Sequence, residues 1–473
     1  MPGSTAITLA TLVAYQLVLL GIGLYCQRRT QGTADYILGG KQLGPWVTAL
    51  SACASSSSAW TLLGVSGYAY ANGLSPLWLL PGCVGGFALN WYLLAERLRR
   101  HTTGTDALTV TDVLAATATP RSVRTVRAVA TFVVLASLLT YVAAQFHATG
   151  ITFQAAFGLD GDIAIVIGAS VVVAYTWFGG FWAVSVTDTL QGMLMVAVAV
   201  VLPVAGVVAV GGFDGLDTGL RALPDAYRSV FHGEAPTAAL GIVLGLLSIG
   251  LGYPGQPHVV NRFMAVRDRK ALVDARRISM VWAVAIYSGM VLTGLCARVL
   301  VPGLEDSEQA FLALTQQALP AAAMGLVLAA VLSAIMSTVD TQLLSAGTAI
   351  THDLRLGGPD DRSALRRSRV VVVLVSVGAM VAALVGDESL FRRVLFAWTA
   401  LGAAFGPLLM ATVWRGPVQP LPTVVTMLTG AGLSVAAYYT PGTSMAMRFG
   451  MPIVVATVMA FAAARPTRQG TPP

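Results

Sequence analysis

Two carboxylates lie inside apolar stretches of this sequence, where ionisable side chains are rare. They are Asp188 and Asp340. An ionisable group within a membrane is costly to bury and is a functional candidate by default. Asp340 follows Ser337 and Thr338 and precedes Thr341, and helical spacing puts residues 337, 340 and 341 on one face. Oxygen donors clustered in this way suit a hard metal cation, or a proton held by a carboxyl group.

Two apolar stretches carry residues that interrupt a helix. The stretch 46–69 contains four consecutive serines, at 55–58, whose hydroxyls bond readily to their own backbone. Two prolines and three glycines fall within residues 250–257, too many for a continuous helix. Membrane transporters bind their solutes where corresponding helices of two repeats are broken near the midplane. The alternative is that both are kinked packing helices, in which small residues allow close approach.

Gln145 and His147 are the other polar residues that interrupt an apolar stretch. Both lie in the stretch 126–152. Histidine changes its charge near neutral pH and serves in proton transfer, but a lone histidine among apolar residues is more often a hydrogen-bonded packing residue. The sequence leaves both roles of His147 open.

The composition shows which environment must position these residues. Hydrophobic residues make up 56% of the 473-residue chain and charged residues 11%, with a mean hydropathy of +0.73. A soluble domain carries about 25% charged residues, so the composition excludes a soluble enzyme, a nucleic-acid-binding protein and a disordered scaffold. The four cysteines show no metal-ligand spacing, and we interpret them as small buried hydrophobes.

Thirteen apolar stretches are long enough to cross a membrane as helices, which takes about 20 residues each. Because lipid offers no partners to free backbone amides, we predict an all-α polytopic membrane protein, with one transmembrane domain over residues 1–473. The first stretch is predicted to be a membrane helix and not a signal peptide, since no positive charge precedes it. The predicted spans are 5–26, 46–69, 74–95, 126–152, 162–180, 187–210, 238–256, 278–300, 321–350, 368–386, 391–414, 418–438 and 446–464.

The basic residues are divided unevenly between the loops at the two ends of these spans. Of the 29 lysines and arginines, 23 fall in one set of alternate loops. Loops rich in Lys and Arg stay in the cytoplasm, so we predict a cell-membrane protein with its amino terminus outside and its carboxy terminus in the cytoplasm. This topology explains the net charge of +7 without a nucleic-acid partner. The six basic residues of the opposite set are Arg221, Arg228, Arg298, Arg392, Arg393 and Arg448.

Four segments carry a resemblance to a known family. They are DYILGGKQLGPWVTALSA (Asp35–Ala52), GGFWAVSVTDTLQ (Gly179–Gln191), GLGYPGQPHVVNRFMA (Gly250–Ala265) and LSAIMSTVDTQLL (Leu332–Leu344). In order and spacing they resemble the sodium:solute symporter family, most closely its sodium/proline branch, over essentially the whole chain. The resemblance implies the inverted-repeat fold of the leucine transporter: five helices over about 46–210 and five over about 238–414, with one helix before (5–26) and two after (418–464).

The resemblance also implies which residues bind the ion and the solute. A sodium site would be formed by the carbonyls of Ala54, Ser57 and Ala334 with the hydroxyls of Ser337 and Thr338. Asp188 matches an aspartate on the sodium path. The coupling ion is expected to be sodium or a proton, with no organic cofactor. The solute-binding residues would be Ser58, Trp60, Tyr141, Gln145, Ile249, Tyr253 and Pro257.

Three positions depart from the proline branch. Ser56 replaces an aspartate that this branch needs for sodium, and Ile249 replaces a tryptophan four residues before the tyrosine of the GLGY motif. The loss of that aromatic wall predicts a pocket of different shape. Asp340 replaces a small or hydroxyl residue. Two carboxylates that face one site either bind a cation between them or share a proton, so we hypothesise that Asp188 and Asp340 are coupled in cation or proton binding.

The leading prediction is cation-coupled symport of a small solute, an amino acid or related zwitterion, by alternating access. The alternative is a membrane-embedded enzyme on a symporter scaffold, with Asp340 or His147 as acid or base on a bound amine or amino acid, for example in forming a nitrogen–nitrogen bond in a natural-product pathway. A sensor that no longer transports is a third interpretation. The expected partners are the solute and the lipid bilayer, and no oligomeric state is predicted.

Overall fold

A computed structural model describes residues 2–27, 37–176, 181–356, 361–386 and 389–465 of the chain. Within these residues the backbone is helical almost throughout, and strand-like pairing is limited to two isolated β-bridges. The prediction of an all-α protein is confirmed. Residues 35–36 and 179–180, which begin two of the motif segments, lie outside the described residues.

The described residues contain thirteen long helical segments, one for each predicted span. Eleven have the length and apolarity of a membrane helix, and the other two are the interrupted span 2 and span 5, whose apolar part is shorter. The chain is a multi-pass membrane protein. The spans are span 1 (Pro2–Gln27), span 2 (half-helix 2a, Pro45–Ser56, and half-helix 2b, Trp60–Gly64 with Val65–Asn72), span 3 (Ser75–Thr102), span 4 (Pro120–Phe157), span 5 (Gly161–Thr176), span 6 (Phe181–Ala209), span 7 (half-helix 7a, Pro236–Gly255, and half-helix 7b, Pro257–Ala265), span 8 (Arg269–Leu300), span 9 (Ala321–Thr348 with Ala349–Asp353), span 10 (Asp361–Val385), span 11 (Leu390–Trp414), span 12 (Pro420–Tyr439) and span 13 (Ala446–Ala463).

Span 2 is broken at residues 57–59, as the run of serines predicts. The hydroxyls of Ser55 and Ser56 each donate to the carbonyl three residues earlier, a bond that competes with regular helix. Ser57 then leaves the helical region, with φ −118° and ψ 80°. Half-helix 2b resumes with a π-helical turn, Trp60–Gly64.

Span 7 is broken in the corresponding place. Half-helix 7a tightens into a 3₁₀ turn over Ile249–Gly255. Half-helix 7b begins at Pro257. Proline suits this position because it has no N–H group, and an N–H in the first turn of a helix would have no partner within the helix. Glycine is needed at Gly255, because a Cβ there would lie 2.6 Å from the backbone of Gly402 in span 11. Both interruptions expected from the sequence are therefore present.

The two breaks occupy equivalent positions in two sets of five spans. Span 6 packs along half-helix 2a, and span 11 packs along the unwound part of half-helix 7a. Spans 6 and 11 are the fifth members of their sets, so the same pair of elements meets in both. Span 1 packs against spans 6 and 9, and spans 12 and 13 pack against span 11. This is the arrangement of a five-plus-five repeat with one helix before it and two after it.

The loops gather at two ends of the bundle. At one end, here called the basic end, Arg99 in span 3 donates to the Arg267 carbonyl between spans 7 and 8, at 3.2 Å. At the opposite end, the Tyr70 hydroxyl at the close of half-helix 2b donates to the Val301 carbonyl after span 8, at 2.9 Å. Half-helices 2a and 7b therefore lie between the breaks and the basic end, and half-helix 2b lies towards the opposite end.

The predicted position of Arg262 was wrong, because this residue lies within half-helix 7b. The sequence prediction ends span 7 at residue 256 and puts Arg262 in the loop that follows it. The structure instead continues the helix to Ala265 and leaves the Arg262 side chain only 1% exposed. A buried guanidinium is tolerated only where oxygen partners replace its water, and Arg262 has such partners in spans 2, 6 and 9.

A short loop helix ties the connection between spans 3 and 4 to the end of span 9. In this helix, Val110–Ala115, Asp112 accepts from Arg127 at 2.9 Å and lies 2.8 Å from His352 Nε2. Burial opposes the ionisation of Asp112, but the hydrogen bond with His352 and the charge of Arg127 hold its pKa below the usual value. The ionised carboxylate therefore stabilises the tie at neutral pH, a contribution that is lost as the pH falls through that lowered pKa.

Candidate ion and solute site

Oxygen atoms from span 9 and half-helix 2a converge beside the break in span 2. The Ser337 hydroxyl lies 3.1 Å from the Ala54 carbonyl oxygen and 3.3 Å from the Ala334 carbonyl oxygen. The Thr338 hydroxyl lies 3.5 Å from the Ser55 carbonyl oxygen. All of these residues are buried. The structure therefore brings four of the five predicted sodium ligands into one cluster and adds Ser55, which the sequence did not indicate.

Ser57 is the fifth predicted ligand and lies at the edge of the same cluster. Its N–H donates to the Ala54 carbonyl at 3.2 Å, at the point where half-helix 2a ends. Carbonyl oxygens at this end of a helix carry the negative side of the helix dipole. Hydroxyl and carbonyl oxygens are hard donors. The donor set fits a monovalent cation such as sodium.

Hydrogen bonds fix the buried Arg262 between spans 2, 6 and 9. Its Nη2 donates to Asp188 Oδ2 at 2.9 Å and to the Thr341 hydroxyl at 3.0 Å, and its Nε donates to the Ser51 hydroxyl at 2.9 Å. Ser51 donates in turn to Asp188 Oδ2 at 2.7 Å. A further contact, from Nη1 to the His258 carbonyl, stays within half-helix 7b. These bonds join half-helix 7b to the neighbouring spans between the breaks and the basic end.

Asp340 lies next to this Arg262 network. Its Oδ1 accepts from the Thr341 hydroxyl at 3.3 Å, and the same hydroxyl accepts from Arg262 Nη2. Asp188 Oδ1 and Asp340 Oδ2 are buried without a hydrogen-bond partner among the described residues. Native proteins rarely leave buried acceptors unpaired. These two oxygens are therefore candidate ligands for a cation or a proton.

Side chains of span 4 contact the break in span 2. Gln145 Oε1 accepts the Ala59 N–H at 3.0 Å, and the Tyr141 hydroxyl donates to Ser58 Oγ at 3.3 Å. Ser58 Oγ also accepts the Trp60 N–H at 3.2 Å. The first N–H groups beyond the break are thus paired by protein side chains. Four of the predicted solute-binding residues meet here.

Tyr253 forms an aromatic wall on the span 7 side of the site. Its hydroxyl lies 2.7 Å from that of Tyr287, and its ring centroid lies 4.7 Å from Trp398 and 5.0 Å from Phe87. The Trp398 indole also donates to the Ile249 carbonyl at 3.1 Å. Span 11 therefore supplies an aromatic ring beside Tyr253, although position 249 carries none. The sequence did not indicate Trp398, which lies far along the chain from the motif.

Several buried polar atoms near the two breaks lack partners. Among the described residues these include Trp60 Nε1, Gln145 Nε2, Gln256 Oε1 and both ring nitrogens of His258. An unpaired buried donor or acceptor costs about 1–3 kcal/mol, so such a group of atoms indicates where a polar ligand would complete the hydrogen bonding. Pro257, also predicted, lies between Gln256 and His258. Those two residues fall within the motif segment at 250–265 but were not predicted individually.

His147 is turned away from this group of residues. It follows Gln145 by two positions on span 4, a rotation of about 200° around the helix, and its side chain is only half-buried. Gln145 contacts the break, so His147 lies on another face of the helix. Asp340, the second residue of the alternative acid–base role, belongs to the Arg262 network.

Comparisons with known sequences give relatives over most of the chain. The family model described as "Sodium:solute symporter family" matches residues 36–430. The osmoregulated proline transporter OpuE of Bacillus subtilis (strain 168) is 35% identical over 426 residues, covering 88% of this chain and 86% of the relative. The sodium/proline symporter of Staphylococcus aureus (strain JH9) is 33% identical over 423 residues, covering 86% of this chain and 81% of the relative.

Solved structures confirm the fold. A Na⁺-coupled sialic acid symporter, in a substrate-bound outward-open state, matches with a TM-score of 0.78 at 20% identity, covering 98% of this chain and 99% of the other. MHP1, a nucleobase-cation-symport-1 family transporter in a closed conformation, matches with a TM-score of 0.57 at 13% identity, covering 90% of this chain and 93% of the other. The fold predicted from the resemblance, a leucine-transporter-like repeat, is thus confirmed. The family match and the identities to the two relatives establish that this chain belongs to the sodium:solute symporter family.

Proposed function

We propose that this protein is a secondary active transporter that moves a small zwitterionic solute, an amino acid, into the cell together with sodium. The observation that carries the proposal is the position of the Ser337 hydroxyl, between the carbonyls of Ala54 and Ala334 at the broken end of half-helix 2a. A few residues later, the same break carries Ser58 and Trp60, the predicted solute contacts. Ion and solute would share one interrupted segment, so the binding of either changes the geometry available to the other.

The two half-helix N-termini suggest where the solute binds. At half-helix 2b, side chains of Gln145 and Ser58 already accept the first N–H groups. Half-helix 7b has no side-chain cap at Gln256. A solute carboxylate would bind near this positive end of the 7b dipole, close to the unpaired atoms of Gln256 and His258. The solute ammonium would then face the hydroxyl and aromatic groups of Ser58, Trp60 and Tyr253.

The charge pattern predicts how the protein is oriented in the membrane, and the sodium gradient sets the direction of transport. We place the basic end in the cytoplasm, because its loops hold most of the arginines. The amino terminus then lies outside and the carboxy terminus inside. A sodium ion moving inward gains about 2.3 kcal/mol per 100 mV of membrane potential, and this energy would drive accumulation of the solute.

Proline is the first solute to test, because both named relatives are proline transporters. Position 249 is the reason to test other amino acids beside it. Because position 249 carries isoleucine, the aromatic ring next to Tyr253 comes from Trp398 in span 11. The pocket is therefore expected to prefer a solute of different shape from the one that the proline branch prefers.

Uptake into proteoliposomes tests the proposal. Purified protein would be reconstituted, and accumulation of labelled proline and a labelled amino-acid mixture measured with a sodium gradient, a proton gradient or no gradient. Accumulation that requires the sodium gradient is the expected result. Accumulation that requires only the proton gradient would show that the coupling ion is a proton and not sodium. Binding of an amino acid in detergent, with no accumulation under any gradient and with turnover of the bound compound, would favour the enzyme instead.

The proposed coupling of Asp188 and Asp340 gives a separate prediction. Asp340→Asn removes one of two unpaired carboxylate oxygens, and we expect the apparent affinity for the coupling cation to fall about tenfold, or about 1.4 kcal/mol. Initial uptake rates would be measured against sodium concentration at two external pH values. The control is Asp214→Asn, the same change at an exposed site in a loop helix. An unchanged ion dependence in Asp340→Asn would remove Asp340 from the coupling mechanism.

A further inference from the structure

Three side chains with metal-binding atoms meet at the basic end, away from the ion and solute site. They are Asp112 in the loop helix Val110–Ala115, and His352 and Asp353 at the end of span 9. One nitrogen or oxygen atom of each lies within 4.8 Å of those of the other two. Asp112 and His352 are 240 residues apart in the chain, so the fold and not a local motif brings these groups together.

Asp353 is a buried carboxylate that no basic side chain pairs with. It is 4% exposed, and no lysine or arginine of the described residues forms an ion pair with it. Arg127 pairs with Asp112, so with a neutral His352 the two carboxylates carry one negative charge more than Arg127 offsets. Burying a charge is costly unless another charge or a metal ion compensates it. The excess negative charge therefore favours a bound cation.

The spacing of His352 and Asp112 is close to that of two zinc ligands. His352 Nε2 lies 2.8 Å from Asp112 Oδ2. Zinc binds imidazole nitrogen and carboxylate oxygen at about 2.0–2.2 Å, which puts two ligand atoms of a tetrahedral site about 3.4 Å apart. An ion between these two atoms would therefore widen their separation by only about 0.6 Å. The Asp353 oxygen, within 4.8 Å of both, would reach the same ion by a shift of about 1.4 Å.

Neighbouring side chains hold both carboxylates in position. Arg127 Nη2 donates to Asp112 Oδ1 at 2.9 Å and leaves Oδ2 facing His352. The Thr109 hydroxyl donates to Asp353 Oδ1 at 2.8 Å. Metal-binding carboxylates and histidines are usually oriented by such outer hydrogen bonds. The cluster thus has the support around its ligands that a metal site requires.

A cavity gives the cluster access to water. Its volume is about 290 Å³, and its lining includes Asp112 and Arg127 together with the exposed residues His101 and Asp106. A hydrated ion can therefore reach Asp112 from the solvent at the basic end. A zinc site with three protein ligands keeps its fourth position for a water molecule, which this cavity can supply.

We propose that Asp112, His352 and Asp353 bind a zinc ion at the basic end. An imidazole ligand favours a transition metal over Mg²⁺ and Ca²⁺, which prefer oxygen ligands alone. The ion would fasten the loop between spans 3 and 4 to the end of span 9, in place of the direct bond between Asp112 and His352. This site is separate from the proposed sodium site, because Ser337 lies about 22 Å away along span 9.

Zinc binding by the purified full-length protein in detergent tests the proposal. Any affinity tag would be removed and the protein treated with EDTA, and ZnCl₂ would then be titrated in competition with a zinc indicator dye. We expect one zinc ion to bind per chain. Because a ligand that binds only the folded state stabilises it, the unfolding temperature should be higher in ZnCl₂ than in EDTA, whereas MgCl₂ should leave it unchanged.

Three variants identify the ligands. His352→Gln and Asp353→Asn should each weaken zinc binding by about 100-fold or more, since the loss of an outer hydrogen bond alone costs about 10–100-fold. Glutamine keeps an N–H that can donate to Asp112, and the unfolding temperature in EDTA would check that each variant is folded. The control is His101→Ala, which removes an exposed histidine of the same cavity and should bind zinc like the unmodified protein.

Two results would overturn the proposal. One is the absence of zinc binding by the folded, unmodified protein. The other is zinc binding that His352→Gln and Asp353→Asn leave unchanged, which would show an adventitious ion at the surface, as would a loss of binding in His101→Ala alone. These measurements require no transport, so an absence of accumulation in proteoliposomes would count against the proposed function and not against the zinc site.

Discussion

Replacing Ser337 by alanine is expected to raise the sodium concentration for half-maximal uptake by about ten- to a hundredfold, the range for losing one bond to a charged partner. The Ser337 hydroxyl is the atom on which the carbonyls of Ala54 and Ala334 converge. Removing it deletes one of the proposed sodium ligands and leaves the backbone carbonyls in place. Initial rates of solute uptake against sodium concentration, in proteoliposomes, would measure the change.

Ser333 provides the matched control for this prediction. It lies one turn earlier on span 9, is equally buried, and bonds to the Ala329 carbonyl and the Tyr15 hydroxyl on the side of span 1. Ser333→Ala should leave the sodium dependence close to that of the unmodified protein, whereas Thr338→Val should shift it in the same direction as Ser337→Ala. A Ser337→Ala variant with unchanged sodium dependence would place the coupling ion elsewhere.

The two breaks and the cluster of oxygen atoms around Ser337 were predictable because their causes are local. Consecutive serines at 55–58 and the Pro–Gly sequence at 250–257 disturb a helix wherever it packs. The two hydroxyls at 337 and 338 are neighbours in the sequence, and their carbonyl partners follow from the family motif. Nothing beyond the motif and the local chemistry was needed to bring these groups together.

Arg262 could not be placed from the sequence because its surroundings are non-local. Half-helix 7b has nine residues, several of them polar, and so lacks the apolar length that identifies a span. The partner that permits burial of Arg262 is Asp188, 74 residues away in span 6. Trp398 was missed for the same reason, since its contact with Ile249 joins residues 149 apart.

The equivalent loops of the two repeats each carry a carboxylate that ties the loop down. Asp112 lies in the loop between spans 3 and 4 and pairs with Arg127 and His352 at the basic end. Glu308 lies in the loop between spans 8 and 9 and caps span 11 at the opposite end. Each of these loops follows the second helix of its repeat. Because the two repeats are inverted relative to one another, one set of contacts lies at the basic end and the other at the opposite end.

Removing either charge of the Arg262–Asp188 pair is expected to destabilise the protein more than removing both. The pair is buried on both sides, and breaking such a pair by removing one partner costs about 3–5 kcal/mol because the other charge is left uncompensated. Arg262→Met and Asp188→Asn should therefore each unfold at a clearly lower temperature in detergent, and the double variant should recover much of that loss. The control is Arg221→Gln, which breaks an exposed pair with Asp217 and should change stability by less than about 1 kcal/mol.

Uptake by the double variant separates a structural pair from a functional one. If the pair only holds half-helix 7b in place, the recovered fold should transport with normal sodium dependence. If Asp188 also receives the coupling cation, as we propose, the double variant should fold and still fail to couple uptake to sodium, because the Asp188 carboxylate is gone while its neighbour Asp340 remains. Single variants whose losses simply add in the double variant would show that the two charges act independently, contrary to the contact of 2.9 Å between them. The Arg262–Asp188 pair would therefore be assigned to the ion path by two results together. The double variant would recover the stability that the single variants lose, and its uptake would no longer depend on sodium.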